Sequence, residues 1–257
     1  MTGWLWEQGL VVLLVACRVA PVVILAPFFG GRGLSMAVRA GVLVALVAIL
    51  APLAAVGAEA APSWSSGLWI GLALKELSMG AAVAAVASVV FWGAEAAGAL
   101  SDVARGAPSG PVEGLGSSST PLGALGRWLS AAVFLAAGGH LIAIEALATS
   151  LVSSPVLAWP AWGEGARLEA LEVFAALTGE IFALALLLSL PVLASVWIAA
   201  LLIGVGQRAL DARAIFAGMS ARSLVGALAA LAALRAVVAL VVDGALDAFG
   251  ALDGLLP

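Results

Sequence analysis

Two carboxylates and one guanidinium stand close together in the stretch Glu95-Ala-Ala-Gly-Ala-Leu-Ser-Asp102-Val-Ala-Arg105. Glu95 and Asp102 are seven residues apart and share nearly one stripe of a helix, with Arg105 three residues past Asp102 and within its reach. Inside a membrane such a group either relays protons or forms a salt bridge that holds a helix against protein. The second reading is favoured, because Ala94, Ala96, Ala97, Gly98 and Ala99 run alongside as a face small enough for another backbone to approach closely. Arg18, Glu76, Glu145, Glu180 and Arg235 also lie within or near apolar runs. A charge at mid-membrane costs about 2.5–3.5 kcal/mol, so these residues are expected to face protein or water. Lys75 and Glu76, near the start of an apolar run, are expected in the head-group layer.

Other chemistry is weak. His140, the sole histidine, is five residues from Glu145, a poor spacing for shared metal ligation on one helix face. A satisfied interior or interfacial histidine is the plainer reading. Gly218-Met219-Ser220-Ala221 falls short of the G-x-S-G of an intramembrane serine protease. There is no P-loop, GxGxxG or HExxH. Cys17 is the only cysteine, which excludes an intramolecular disulfide and a cysteine-based metal site. No catalytic, cofactor-binding or metal-binding residue is expected, and the chain reads as a non-enzyme.

The elements that position these residues follow from composition. Of 257 residues, 64% are hydrophobic and only 10% charged, and the mean hydropathy is +1.19. A soluble domain is nearer 45–50% apolar and about 25% charged. A polytopic membrane protein is therefore expected. With no Lys/Arg cluster to form a basic patch, a nucleic-acid partner is not expected. The N-terminus carries Glu7 and no basic residue before its apolar run, unlike a cleaved signal peptide, so the first span is expected to stay in the mature protein.

Six apolar stretches are long enough to span a bilayer: about Leu5–Phe29, Leu34–Val56, Leu68–Leu100, Leu122–Val152, Leu171–Val205 and Phe216–Leu240, the last continuing towards Phe249. Lipid admits only helices or closed barrels, and strand-like alternation is absent, so the expected fold is all-α with about six long helices. Pro21, Pro27, Pro52 and Pro191 are expected to kink or end them. Arg32 and Arg39, Arg105 and Arg127, and Arg208, Arg213 and Arg222 mark three connecting segments as cytoplasmic. Trp4, Trp6, Trp64, Trp69, Trp159 and Trp162 fall at the opposite ends, as an interfacial belt would. Both termini are then outside if all six segments span fully.

Three stretches together resemble the FliR/SctT family of export-apparatus membrane proteins of bacterial flagellar and virulence type III secretion systems. The first is Arg18-Val-Ala-Pro21 through Pro27-Phe28-Phe29-Gly30-Gly31-Arg32, with Val38-Arg39-Ala40-Gly41 after it. The second and most specific is Phe91-Trp92-Gly-Ala-Glu95-Ala-Ala-Gly98-Ala-Leu-Ser-Asp102-Val-Ala-Arg105-Gly106. It is similar to the family's F-W-x-x-E-x-A-G-x-L-I-D-x-Q-R-G element. The third is Pro191-Val192-Leu193, Gly204-Val-Gly-Gln-Arg208 and Phe216. The chain departs from the family in having Ala104 before Arg105-Gly106, and Leu210-Asp-Ala-Arg213 in place of a P-Q-L-N run. Phe91-Trp92 and Gly138-Gly139 resemble the virulence-type branch more than the flagellar one.

The resemblance implies a structural subunit of a type III protein export gate, multi-pass in the bacterial inner membrane and acting without catalysis or cofactor. It implies kinked helices and a fold like a fusion of two smaller partners, with an SctR-like part at 1–168 and an SctS-like helical hairpin at 169–257 of one gate subunit. The implied partners are SctR-, SctS- and SctU-type membrane proteins, membrane lipid, and unfolded secreted substrates in transit. It also implies that the loop after Arg105-Gly106 plugs the closed pore, through Gly106, Pro108, Gly110, Pro111, Gly114, Gly116 and Pro121. The glycines suit a backbone that rearranges, and an ordinary solvated loop is the alternative. Arg18, Glu95, Asp102 and Arg105 are the expected structural polar contacts. The rival readings are a flagellar FliR-type subunit, or a small-molecule transporter with its site near Arg18, Glu95 and Glu145.

Overall fold

An apolar chain in lipid must satisfy its backbone within each segment, and every regular element among the described residues is helical. The computed structural model describes residues 2–29, 34–56, 66–107, 120–158, 164–206, 221 and 223–232. The order is α1 (Thr2–Leu25), a short 3-10 turn (Pro27–Phe29), α2 (Met36–Val56), α3 (Ser66–Arg105), α4 (Pro121–Ala136), α5 (Gly139–Ser153) and α6 (Glu164–Gly206). A further apolar helix, α7, covers Ser223–Ala232. The chain is an all-α polytopic membrane protein.

The first three expected spans coincide with α1, α2 and α3 to within a few residues, and the fifth falls within α6. The fourth does not form one helix. It is divided into α4 and α5 at Gly138, whose φ of 79° is left-handed. The Gly138 N–H closes the turn on the Leu135 carbonyl at 3.1 Å, and its own carbonyl accepts from Leu141 N–H at 2.9 Å. Glycine takes this conformation without a Cβ penalty, which is why the break falls at Gly138-Gly139. Most of the expected sixth span lies outside the described residues.

α1, α2 and α6 run through Pro21, Pro52 and Pro191, and only Pro27 follows a helix end. Apolar helices tolerate proline where neighbouring groups re-satisfy the freed carbonyl. Among the described residues three helices are long and apolar enough to cross a membrane, Met36–Ala54, Leu68–Arg105 and Glu172–Val205, or four if α4 and α5 are one broken span. The apolar parts described for α1 and α7, Gly9–Leu25 and Ser223–Ala232, are shorter. α3 has 40 residues and α6 has 43. At 1.5 Å per residue each is about 60 Å long, roughly twice the hydrocarbon thickness of a bilayer.

The chain divides into two compact units. The first takes Met1–Ser88, Leu135–Ala175 and Ala245–Pro257. Its core is built on a helical stripe of α1, Val11, Leu14, Val15, Val19, Val22 and Val23, joined by Leu72, Leu147 and Val156. α1 packs on α2, and α2 also touches α5.

The second unit takes Val89–Phe134 and Ala176–Gly244. Here the small-residue face of α3 receives the backbone of α4. A Cβ on Gly98 would collide with the Leu122 carbonyl, and one on Gly126 would lie 2.5 Å from the Ala94 carbonyl. Phe91 and Phe134 meet edge to face at 5.2 Å. α6 adds a narrow stripe, Leu184, Ala185, Leu188, Val192 and Val196, while Phe182, Leu186, Leu190, Trp197, Leu201 and Val205 stay exposed.

Candidate functional site: two buried charge clusters

Arg18 lies on the buried stripe of α1, with Leu14 and Val15 about one turn before it and Val22 one turn after, and its side chain is wholly enclosed. The Arg18 Nε–H donates to Glu76 Oε2 on α3, and both groups are fully buried. The Arg18 Nη1–H donates to the Ser150 carbonyl at 2.6 Å and Nη2–H to the Ser154 carbonyl at 2.9 Å. These acceptors lie at the C-terminal end of α5, where the helix dipole favours a cation. α1 and α3 touch at the same place, because a Cβ on Gly80 would collide with the Arg18 carbonyl.

Lys75 completes this cluster. Its ammonium is 2.6 Å from Glu76 Oε1. It donates to the carbonyls of Ala158 at 2.9 Å, Pro155 at 3.1 Å and Val156 at 3.4 Å. One carboxylate thus faces two cations, and the excess positive charge is solvated by backbone oxygens. Both Lys75 and Glu76 are buried among helices and segment 154–158, so Glu76 faces protein as expected of a charge in an apolar run, while the joining of Lys75, Glu76 and Arg18 in one cluster was not foreseen. The available signal was the register of Arg18, which falls on the same α1 stripe as the core valines and so needs a buried counter-charge.

In the second unit, Asp102 is fully buried near the end of α3. Its Oδ1 accepts from Arg105 Nε–H at 2.8 Å and Nη2–H at 2.5 Å. Its Oδ2 accepts from the Leu122 N–H at 2.7 Å. Glu95 is set apart from this pair. It lies 3.8 Å from Arg127, and both side chains keep some exposure, 27% and 20%. Arg127 also stands over the Trp128 ring, 5.6 Å from its centre. So the Asp102–Arg105 contact forms, whereas Glu95 turns to a cation on α4.

Of the loop positions, Gly106 and Pro121 are described. Gly106 has a left-handed φ of 69°, and Pro121 is the first residue of α4. Pro108, Gly110, Pro111, Gly114 and Gly116 lie outside the described residues. Glu145 and Glu180 are exposed, and Arg235 lies outside the described residues. His140 stands in the first turn of α5, half-buried, with an Nδ1 that has no hydrogen-bond partner among the described residues. Among the described residues no group of three or more His, Cys, Asp or Glu could hold a metal ion.

Long apolar helices locked by internal ion pairs, with small residues where backbones cross, describe a membrane scaffold. The chain matches the family described as bacterial export proteins, family 1, over residues 10–248. The chain belongs to that family. No curated protein matches the chain. The match to the bacterial export proteins takes in both charge clusters and every described helix from Leu10 onward. A role in protein export follows for this membrane protein.

Proposed function

We propose that the chain is a structural subunit of a type III protein export gate in the bacterial inner membrane, of the virulence-type branch. It acts without catalysis, beside SctR-, SctS- and SctU-type partners, and helps form the pore through which unfolded substrates pass. The observation that carries this reading is the family match over residues 10–248. The exposed apolar face of α6, with Phe182, Leu186, Leu190 and Trp197, suits contact with lipid or partner helices. The proposal includes a fusion-like organisation, 1–168 resembling SctR and 169–257 resembling SctS, and a plug formed by the segment from Gly106 to Pro121.

The transporter reading is weakened by Arg18. Its guanidinium is enclosed and engaged by Glu76, Ser150 and Ser154, which leaves little for a substrate. Co-expression with SctR- and SctS-type proteins, followed by native mass spectrometry, tests the proposal. A defined hetero-oligomer with one copy of this chain is expected. A stable monomer or homo-oligomer beside well-expressed partners would overturn it. For the plug, deletion of residues 110–119 is expected to raise ion leakage, and unchanged leakage and secretion would remove that part.

A further inference from the structure

The last turn of α3 and the first turn of α4 are joined through one residue. The Asp102 carbonyl accepts from Ala107 N–H at 2.9 Å while the Val103 carbonyl accepts from Gly106 N–H at 3.1 Å. With Gly106 left-handed, this pair of bonds is a Schellman closure of α3. The Asp102 carboxylate meanwhile accepts from Leu122 N–H, one of the first amides of α4 that lack an intrahelical acceptor. Thr120 serves its neighbours, accepting from Gly123 N–H through Oγ1 at 3.3 Å and from Ala124 N–H through its carbonyl at 2.8 Å. Asp102 therefore receives the closing bond of one helix and an opening bond of the next, and its charge suits the N-terminus of α4.

Arg105 carries this joint outward. Its Nε and Nη2 hold Oδ1 of Asp102, and its stem lies against α7. A Cβ on Gly226 would sit 3.0 Å from Arg105 Cβ and 2.8 Å from Val196 Cγ2. Any larger side chain at Gly226 must displace Arg105 or Val196.

We infer that Asp102 is a positioning residue that sets the first turn of α4 against the last turn of α3, and that Arg105 makes this setting depend on the place of α7. The functional consequence rests on the export-gate reading above: the joint fixes both anchor points of the proposed plug.

Hydrogen exchange of the full chain in lipid nanodiscs tests the joint, with ion leakage in expressing cells as a second readout. Asp102→Ala is expected to speed exchange across residues 120–126 by roughly tenfold, in line with loss of a charged acceptor from a buried amide. Arg105→Ala leaves the Leu122 bond and is expected to have a smaller effect. Gly226→Leu is expected to speed exchange at the same residues, and to add little on top of Asp102→Ala. Unchanged exchange in Asp102→Ala, an equal effect of Arg105→Ala, or no effect of Gly226→Leu would overturn the inference. Should Asp102→Ala fail to accumulate, Asp102→Leu fills the same space and offers no acceptor to Leu122 N–H, and unchanged exchange there overturns it equally. Faster exchange with unchanged leakage would uphold the joint and remove the plug reading.

Discussion

Arg18 on α1 and Glu76 on α3 stand 58 positions apart in the chain and meet as a fully buried ion pair. Among the described residues Glu76 is the one carboxylate that answers Arg18, whereas Glu76 is also held by Lys75. Removing one partner of a buried pair leaves an uncompensated charge, at a cost of about 3–5 kcal/mol. Glu76→Met, which leaves Arg18 and Lys75 without their carboxylate, is expected to destabilise the protein by that order, and Arg18→Met by less, because Glu76 keeps Lys75. The double variant is expected to lose less than the sum, because it leaves neither of these two charges orphaned. Thermal unfolding in detergent checks this, and additive losses would show that the pair is not coupled.

Lys75 acts on a different object, the chain that follows α5. Its three carbonyl partners lie within residues 155–158. Lys75→Met is expected to cost about 1.5–3 kcal/mol, the range for hydrogen bonds to a charged group. The loss is expected to be local, seen as faster hydrogen exchange or proteolysis at residues 154–158. Loss spread evenly over α1 and α3 would contradict that assignment.

The glycines divide by what surrounds them. Gly80→Val and Gly98→Val place carbon against the backbone of Arg18 and Leu122, which no side-chain rotation relieves. Each is expected to destabilise by about 1–3 kcal/mol or more through overpacking. Gly179 on α6 has nothing within 4 Å of an added Cβ. Gly179→Ala is expected to be neutral, or to stabilise by up to about 1 kcal/mol, because alanine loses less backbone entropy in a helix. Melting temperatures of the three variants separate the two classes.

Glu95 and Asp102 share a helix but not an environment. Glu95 faces Arg127 at 3.8 Å with partial exposure, so solvent screens the pair. Glu95→Gln is expected to change stability by less than about 1 kcal/mol. Asp102→Asn is expected to cost clearly more, since its carboxylate is buried and serves both Arg105 and Leu122. Equal melting temperatures for these two variants would remove the distinction.

Much of the architecture was legible in the amino-acid order. Apolar runs about 20 residues long leave helices as the readable answer in lipid, and the runs beginning near Leu5, Leu34 and Leu68 became α1, α2 and α3. The small face from Ala94 to Ala99 announced a close helix contact, and the i, i+3 spacing of Asp102 and Arg105 announced their salt bridge. Local periodicity carries such information because it depends only on helical geometry. Which distant group answers a given charge is another matter. Nothing in the neighbourhood of Arg18 names Glu76, Ser150 or Ser154, and nothing near Asp102 names the amide of Leu122. Those pairings depend on where separate helices cross, and only the tertiary structure decides them: a buried charge takes the partner that packing brings within hydrogen-bond distance.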